Sequence, residues 1–285
     1  MSHYETNPIS VIINGVKQAF AHSQQLAIIL IILPMALGVV NFVGQMFGNA
    51  FGASISTVQD RSSALLAVGV VLFILAILLQ IFTQVLYTGI QSFAMLKISR
   101  GEDETFNKAF EHAFSKLWKI VLIHLTLFVY TLPYSMAVSA LVVLSVVLVN
   151  SDSVALTVCL PISIILGTLL VILIFRVYLR FSFAMTYMFD GTQTTTEAFN
   201  KSKQLTKGRL SEVFGVMTIG SLVPFISALT MTSGMAILFK QLTEARDAKA
   251  ELPRQHILNY IVPAIAFMFF GFLVLIFVAL LATTA

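Results

Sequence analysis

Arg176 and Arg180 are four residues apart, so a helix carries both guanidinium groups on one face. A planar, permanently charged fork of donors suits a phosphate or another anionic head group. On an earlier stretch Gln80, Gln84, Thr88 and Gln91 recur at helical spacing beside Tyr87, and Tyr187 falls near the arginine side of the later helix. Gln80, Gln84, Gln91, Arg176, Arg180 and Tyr187 together predict a polar vestibule between the second and fourth spanning helices, facing the cytoplasm and taking an anionic lipid or lipid precursor. The same residues also fit a plainer arrangement, in which the arginines snorkel to the interface and the glutamines bond between helices.

No other constellation points to bond chemistry. His3, His22, His112, His124 and His256 lie in five separate segments, without a close pair or a carboxylate at ligand spacing, so no metal site is expected. A glycine-rich phosphate loop, a nucleophile elbow and a zinc-protease motif are all missing from the sequence. Each Asp and Glu falls in a loop or at the edge of an apolar run, too shallow for an intramembrane proton relay. The chain is expected to have no catalytic residue and no cofactor.

These residues sit in a chain built for lipid. Hydrophobic side chains make up 58% of the 285 residues and charged ones 11%, mean hydropathy is +0.93, and there are 24 phenylalanines. That composition lies outside the range of soluble domains and reads as a polytopic membrane protein. Apolar runs at 26–47, 63–86, 119–149, 154–176, 213–239 and 257–282 each reach the ~20 residues that a helix needs to cross the hydrocarbon layer. The first run is too long, and lies too far from the start, for a cleaved signal. Cys159, the single cysteine, lies inside an apolar run and reads as a buried thiol.

The 17 Lys and Arg against 13 Asp and Glu would suggest nucleic acid, but their positions follow topology instead. With the N-terminus inside, twelve basic residues fall on that side and five, Arg61, Lys240, Arg246, Lys249 and Arg254, on the other. Both termini are therefore expected in the cytoplasm, with segment 240–256 outside as a short solvated helix or a simple connection. No nucleic-acid partner is expected.

The stretch GEDETFNKAFEHAF (101–114) separates two apolar runs and carries acids and a histidine. Phe106, Ala109, Phe110, Ala113, Phe114 and Leu117 recur every three or four residues, which predicts an amphipathic interfacial helix with Asp103 as N-cap. Two counterparts precede the first and fifth runs. Asn7-Pro8 opens one, with Ile9, Ile12, Ile13, Val16, Ala19 and Phe20 on its apolar face. Thr194-Thr195-Thr196-Glu197 opens the other as a capping box, with Ala198, Phe199, Ser202 and Leu205 on one side. Phe20, Phe106, Phe110, Phe114, Trp118 and Phe199 are the expected interfacial anchors. Each segment leads into a run holding an apolar residue before proline: Leu33-Pro34, Leu132-Pro133 and Val223-Pro224. The expected fold is all-α, one membrane domain over 1–285 with six transmembrane helices in three tandem units (8–97, 101–189, 194–282), each an interfacial helix plus a helical hairpin.

RGEDETFNKAFEHAFSKLWK after the second run and DGTQTTTEAFNKSKQLTKGR after the fourth resemble the membrane domain of the glycerophosphoryl diester phosphodiesterase family and related six-helix bacterial inner-membrane proteins. The resemblance implies six helices and the bacterial cytoplasmic membrane; it does not imply the phosphodiesterase reaction, whose His and acidic metal ligands belong to a separate barrel. Three function classes follow. The first is a protein binding or moving an anionic lipid. The second is a non-catalytic scaffold or accessory subunit of a membrane complex, and the third, disfavoured, is an intramembrane enzyme. Expected partners are membrane lipids, with a membrane-protein subunit or a second copy of the chain as the alternative.

Overall fold

The computed structural model describes residues 4–56, 63–149, 155–192 and 194–284. Among these residues the chain forms eleven helices and no strand.

The first three helices meet at a pinned corner. Helix α1 (Pro8–His22) starts where the Asn7 side chain accepts from the amide of Ile9 at 3.0 Å and Pro8 supplies a fixed φ. It stops at Ser23, and α2 (Gln24–Ser56) departs at 113° to it over Gln24–Val39. The corner is tied to the end of α3 (Ser63–Arg100): Ser23 Oγ donates to Glu102 O and Gln18 Nε2 to Ile98 O, both at 2.6 Å. Gly101, at φ +70°, ends α3 in a conformation that a side chain would strain.

Helix α4 (Phe106–Ser115) is the helix expected in the opening of the second unit, with a different cap. Thr105 accepts from the Lys108 amide, and Asp103 instead faces the amide of Gln25 at 3.4 Å, in the first turn of α2. Lys108 bonds the Glu104 carboxylate and, with Lys97, holds it below the usual carboxylate range. Then follow α5 (Leu117–Val149), α6 (Ala155–Arg180), the short α7 (Ala184–Phe189) and α8 (Thr195–Leu205), capped by Thr194 as the sequence predicts. Pro34 and Pro133 lie inside unbroken α2 and α5.

The run 213–239 is not one span. It divides into α9 (Leu210–Ser221) and α10 (Ser227–Asp247), and the chain folds back between them. Pro224 has no amide hydrogen to continue a helix, and Phe225 follows it at φ +65°. Small residues let the two arms touch: Thr230 Oγ1 donates to Gly220 O at 2.5 Å, and a Cβ on Gly220 would stand 2.7 Å from Met231 Cα. The second arm is buried along Ala228–Leu242.

The hairpin carries 240–256 back to the N-terminus, correcting its expected place on the opposite side. Asn259 Nδ2 donates to Thr6 O at 2.8 Å, Gln255 Nε2 to Gly208 O at 2.6 Å, and Ser211 Oγ to Gln255. From there α11 (Leu258–Thr284), 27 residues or ~40 Å of helix, leads away.

Burial divides the molecule into two zones. Along α2, Leu26, Ala27, Ile29 and Leu30 are buried, but Ile32, Met35 and Val39 are exposed. Along α3 the order reverses: Val70, Val71 and the large apolar residues from Phe73 to Phe82 are exposed, and burial begins at Leu86. The core is thus a layer made of α1, α4, α7, α8, α9, α10 and the adjoining ends of α2, α3, α5 and α6. Out of this layer project helices that are apolar on their surfaces. Phe73–Arg100, Leu117–Leu144 and Pro161–Phe189 are each long and apolar enough to cross a membrane, and Pro8–Val39 adds a fourth if its bent halves form one span. The protein is all-helical with several apolar helices of spanning length, as a membrane protein requires.

Candidate anion-binding groove

Arg180 ends α6 with Arg176 one turn before it, and what stops α6 also builds the site. Ser202 Oγ and Thr206 Oγ1 donate to the Arg180 carbonyl at 3.0 and 3.2 Å, and the Phe183 amide donates back to Ser202 Oγ at 3.2 Å. These bonds satisfy backbone groups released where α6 breaks into α7. They also fix α8 across the end of α6, which brings Lys203 to the arginines.

The result is a groove of about 480 Å³ between α5, α6 and α8. Arg176, Arg180 and Lys203 supply its charge, Tyr130, Tyr134, Thr126, Thr195, Thr196 and Asn200 its polar groups, and Leu173, Val177, Phe181 and Phe199 its apolar wall. Phe181 and Phe199 meet edge to face at 4.7 Å, with Tyr130 5.5 Å from Phe181. Among the described residues no carboxylate lines the groove. Glu197, on α8, pairs with Lys201 at 3.0 Å. Ion pairs among the described residues involve Lys97, Arg100, Lys108, Lys201 and Arg209, and none of the three groove cations.

The expected vestibule between the second and fourth spanning helices is not formed. Gln80 and Gln84 are exposed on α3, Gln91 Nε2 donates to Tyr87 Oη at 2.7 Å within that helix, and Tyr187 is buried with its ring 5.1 Å from Phe239. None of Gln80, Gln84, Gln91 and Tyr187 lines the groove with the arginines. Lys203, Tyr134, Thr196 and Asn200 were not anticipated. Their signal was in the sequence, however. Thr126, Tyr130 and Tyr134 recur every four residues on α5, and Thr196, Asn200 and Lys203 share a face of α8.

The anchors divide similarly. Phe106, Phe110 and Phe114 form an exposed row with adjacent centroids 6.1 Å apart, Phe20 is exposed and Trp118 is 72% exposed. Ala109 and Ala113 turn inward from the same helix. Phe199 departs from the expectation: it is 5% exposed, part of the core and of the groove wall.

A second polar centre fastens the base of the α9–α10 hairpin. Arg209 donates to Glu212 Oε1 at 2.7 Å, and Tyr4 Oη donates to Glu212 Oε2 at 2.8 Å. Glu212 is only 2% exposed. Burial, with the Glu212 charge beside it, raises the Tyr4 hydroxyl above its ordinary pKa and keeps it a donor.

Comparison with models of known protein families, with curated proteins and with solved structures finds no match to this chain.

Proposed function

We propose that this chain is a multi-pass membrane protein without catalytic activity that holds the phosphate of an anionic lipid or lipid precursor in the groove between α5, α6 and α8. The observation that carries the reading is the clustering of Arg176, Arg180 and Lys203 around one groove with no carboxylate to balance them. Like charges brought together raise the free energy unless a counter-charge joins them. The boundary between the two burial zones favours a lipid as the source of that charge. Leu179 is buried on the layer side, while Leu169 and Leu173 are exposed on the projecting side. A phosphate at the arginines would leave acyl chains lying along Leu173 and Leu169.

In this reading α2, α3, α5, α6 and α11 cross the bilayer, and α9–α10 is a re-entrant hairpin whose tip carries Leu222 and the 80%-exposed Phe225. The four basic residues of 240–254 then join the twelve on the N-terminal face, which holds sixteen of the 17 Lys and Arg; Arg61 lies outside the described residues. That asymmetry makes the N-terminal face cytoplasmic, and the resemblance noted above suggests a bacterial inner membrane. The C-terminus falls on the other side. In a Cys159→Ser background, Lys249→Cys and Lys108→Cys are expected to react with a membrane-impermeant thiol reagent from the same face, and Thr283→Cys from the opposite one. Labelling of Lys249→Cys with Thr283→Cys would remove the re-entrant hairpin.

The groove is tested by native mass spectrometry of the purified protein. Each charge-assisted bond contributes about 1.5–3 kcal/mol, so Arg176→Ala with Arg180→Ala should reduce retained anionic lipid by at least ~10-fold. Retention equal to that of the unaltered chain would overturn the reading in favour of a scaffold role.

A further inference from the structure

The composition of the groove bears on which anion it accepts. We infer that the site selects lipids whose phosphate carries an uncharged, hydroxylated substituent, of the glycerol, inositol or sugar kind, over zwitterionic lipids and over the bare phosphomonoester. This rests on the anion-binding reading of the groove and goes one step beyond it.

Two features support the choice. The first is electrostatic: Arg176, Arg180 and Lys203 surround a space that no carboxylate lines. An ethanolamine or choline ammonium, tethered a few ångströms from its phosphate, enters among these cations where the groove lining offers it no carboxylate. A site built for zwitterions supplies an acid or an aromatic box for the ammonium, whereas here the rings of Tyr130, Phe181 and Phe199 pack against one another, with centroids 4.7 to 6.3 Å apart. The nearest acid along α8, Glu197, is held by Lys201.

The second is the polar lining. Tyr134, Thr196 and Asn200 line the groove beside the cations, and their side chains have no hydrogen-bond partner among the described residues. Two hydroxyls and a carboxamide both donate and accept, which is the chemistry that alcohol groups require and a bare phosphate does not use fully. By contrast Thr126, two turns before Tyr134 on α5, already donates to Leu122 O at 2.7 Å. The volume, about 480 Å³, falls in the range that holds an organic group and not only an ion.

Nanodiscs holding equal amounts of phosphatidylglycerol, phosphatidic acid and phosphatidylethanolamine, followed by native mass spectrometry of the intact protein, test this directly. The expected order of retention is phosphatidylglycerol, then phosphatidic acid, then phosphatidylethanolamine, with at least ~10-fold between first and last. Thr196→Val with Asn200→Leu should remove the preference for phosphatidylglycerol over phosphatidic acid; Thr196→Ser should retain it. Soluble glycerol 3-phosphate should not displace the lipid at millimolar concentration, and displacement would identify a free polyol phosphate as the occupant and overturn the lipid assignment. Equal retention of phosphatidylglycerol and phosphatidylethanolamine would also overturn the inference. So would a preference that persists in the Thr196/Asn200 variant while Arg176→Ala with Arg180→Ala abolishes binding, an outcome that spares the anion-binding reading. Lipid retention unaffected by the arginine variant removes both.

Discussion

Replacing Gly15 by alanine should destabilise the protein by about 3 kcal/mol or more, read as a fall in the thermal midpoint of the purified protein in detergent. The sign runs against local propensity, since alanine in place of glycine inside a helix ordinarily stabilises by roughly 0.5–1 kcal/mol. At Gly15 the contact is with another backbone. A Cβ there would lie 2.5 Å from the Ser233 carbonyl carbon and 2.9 Å from the Gly234 amide nitrogen, and closer still to the Ser233 oxygen. Neither neighbour can rotate away, so α1 must lift from α10. Gly234 faces Ile12 and Val216 at the same crossing, so the displacement would spread to α9. Gly38→Ala is the control: nothing stands within 4 Å of a Cβ at that position of α2, and the substitution should be neutral or slightly stabilising. A Gly15→Ala variant as stable as the Gly38→Ala control would mean that α1 does not pack on α10.

That crossing also shows where sequence patterns run out. Local signals worked where the stabilising partner is local: Asn7-Pro8 and Thr194 start α1 and α8 through bonds within one turn. Asp103 was misread because its carboxylate serves the start of α2, far away in sequence, leaving Thr105 to cap α4. The run 213–239 misled for a different reason. Hydropathy measures transfer out of water and does not distinguish lipid from protein as the destination. The stretch of α10 that reads SALTMTSGMA is apolar enough on average, yet its glycine, serines and threonines meet α1 and α9. The groove was half legible. A four-residue spacing establishes that Arg176 and Arg180 share a face of α6, but which helix lies opposite depends on the break after Arg180 and on Ser202 and Thr206. The glutamine stripe failed as a site for the complementary reason: Gln91 meets its partner, Tyr87, on its own helix.

The other large effect is expected at the base of the hairpin. Glu212→Ala leaves Arg209, a residue only 8% exposed, without its carboxylate, and Arg209→Ala leaves Glu212 buried with only the Tyr4 hydroxyl. Breaking a buried pair from one side costs about 3–5 kcal/mol, because the remaining charge has lost water and gained nothing. Removing both charges is far milder. Arg209→Met with Glu212→Leu should fall within roughly 1 kcal/mol of the unaltered protein, and the non-additivity in a double-mutant cycle measures the coupling. Tyr4 adds a dependence on pH. Its hydroxyl is raised above the ordinary value of 10.0, so its contribution is fully present below that pH and is lost as pH rises past it. Tyr4→Phe should abolish that alkaline component while leaving the neutral-pH fold intact, and an unchanged alkaline profile would exclude the Tyr4–Glu212 bond as its source. Thiol labelling then separates fastening from topology. If the charge cluster only fastens the hairpin, Lys249→Cys in the Arg209→Met, Glu212→Leu background still reacts from the N-terminal face. If the cluster instead holds 240–256 on that face, the labelling becomes mixed.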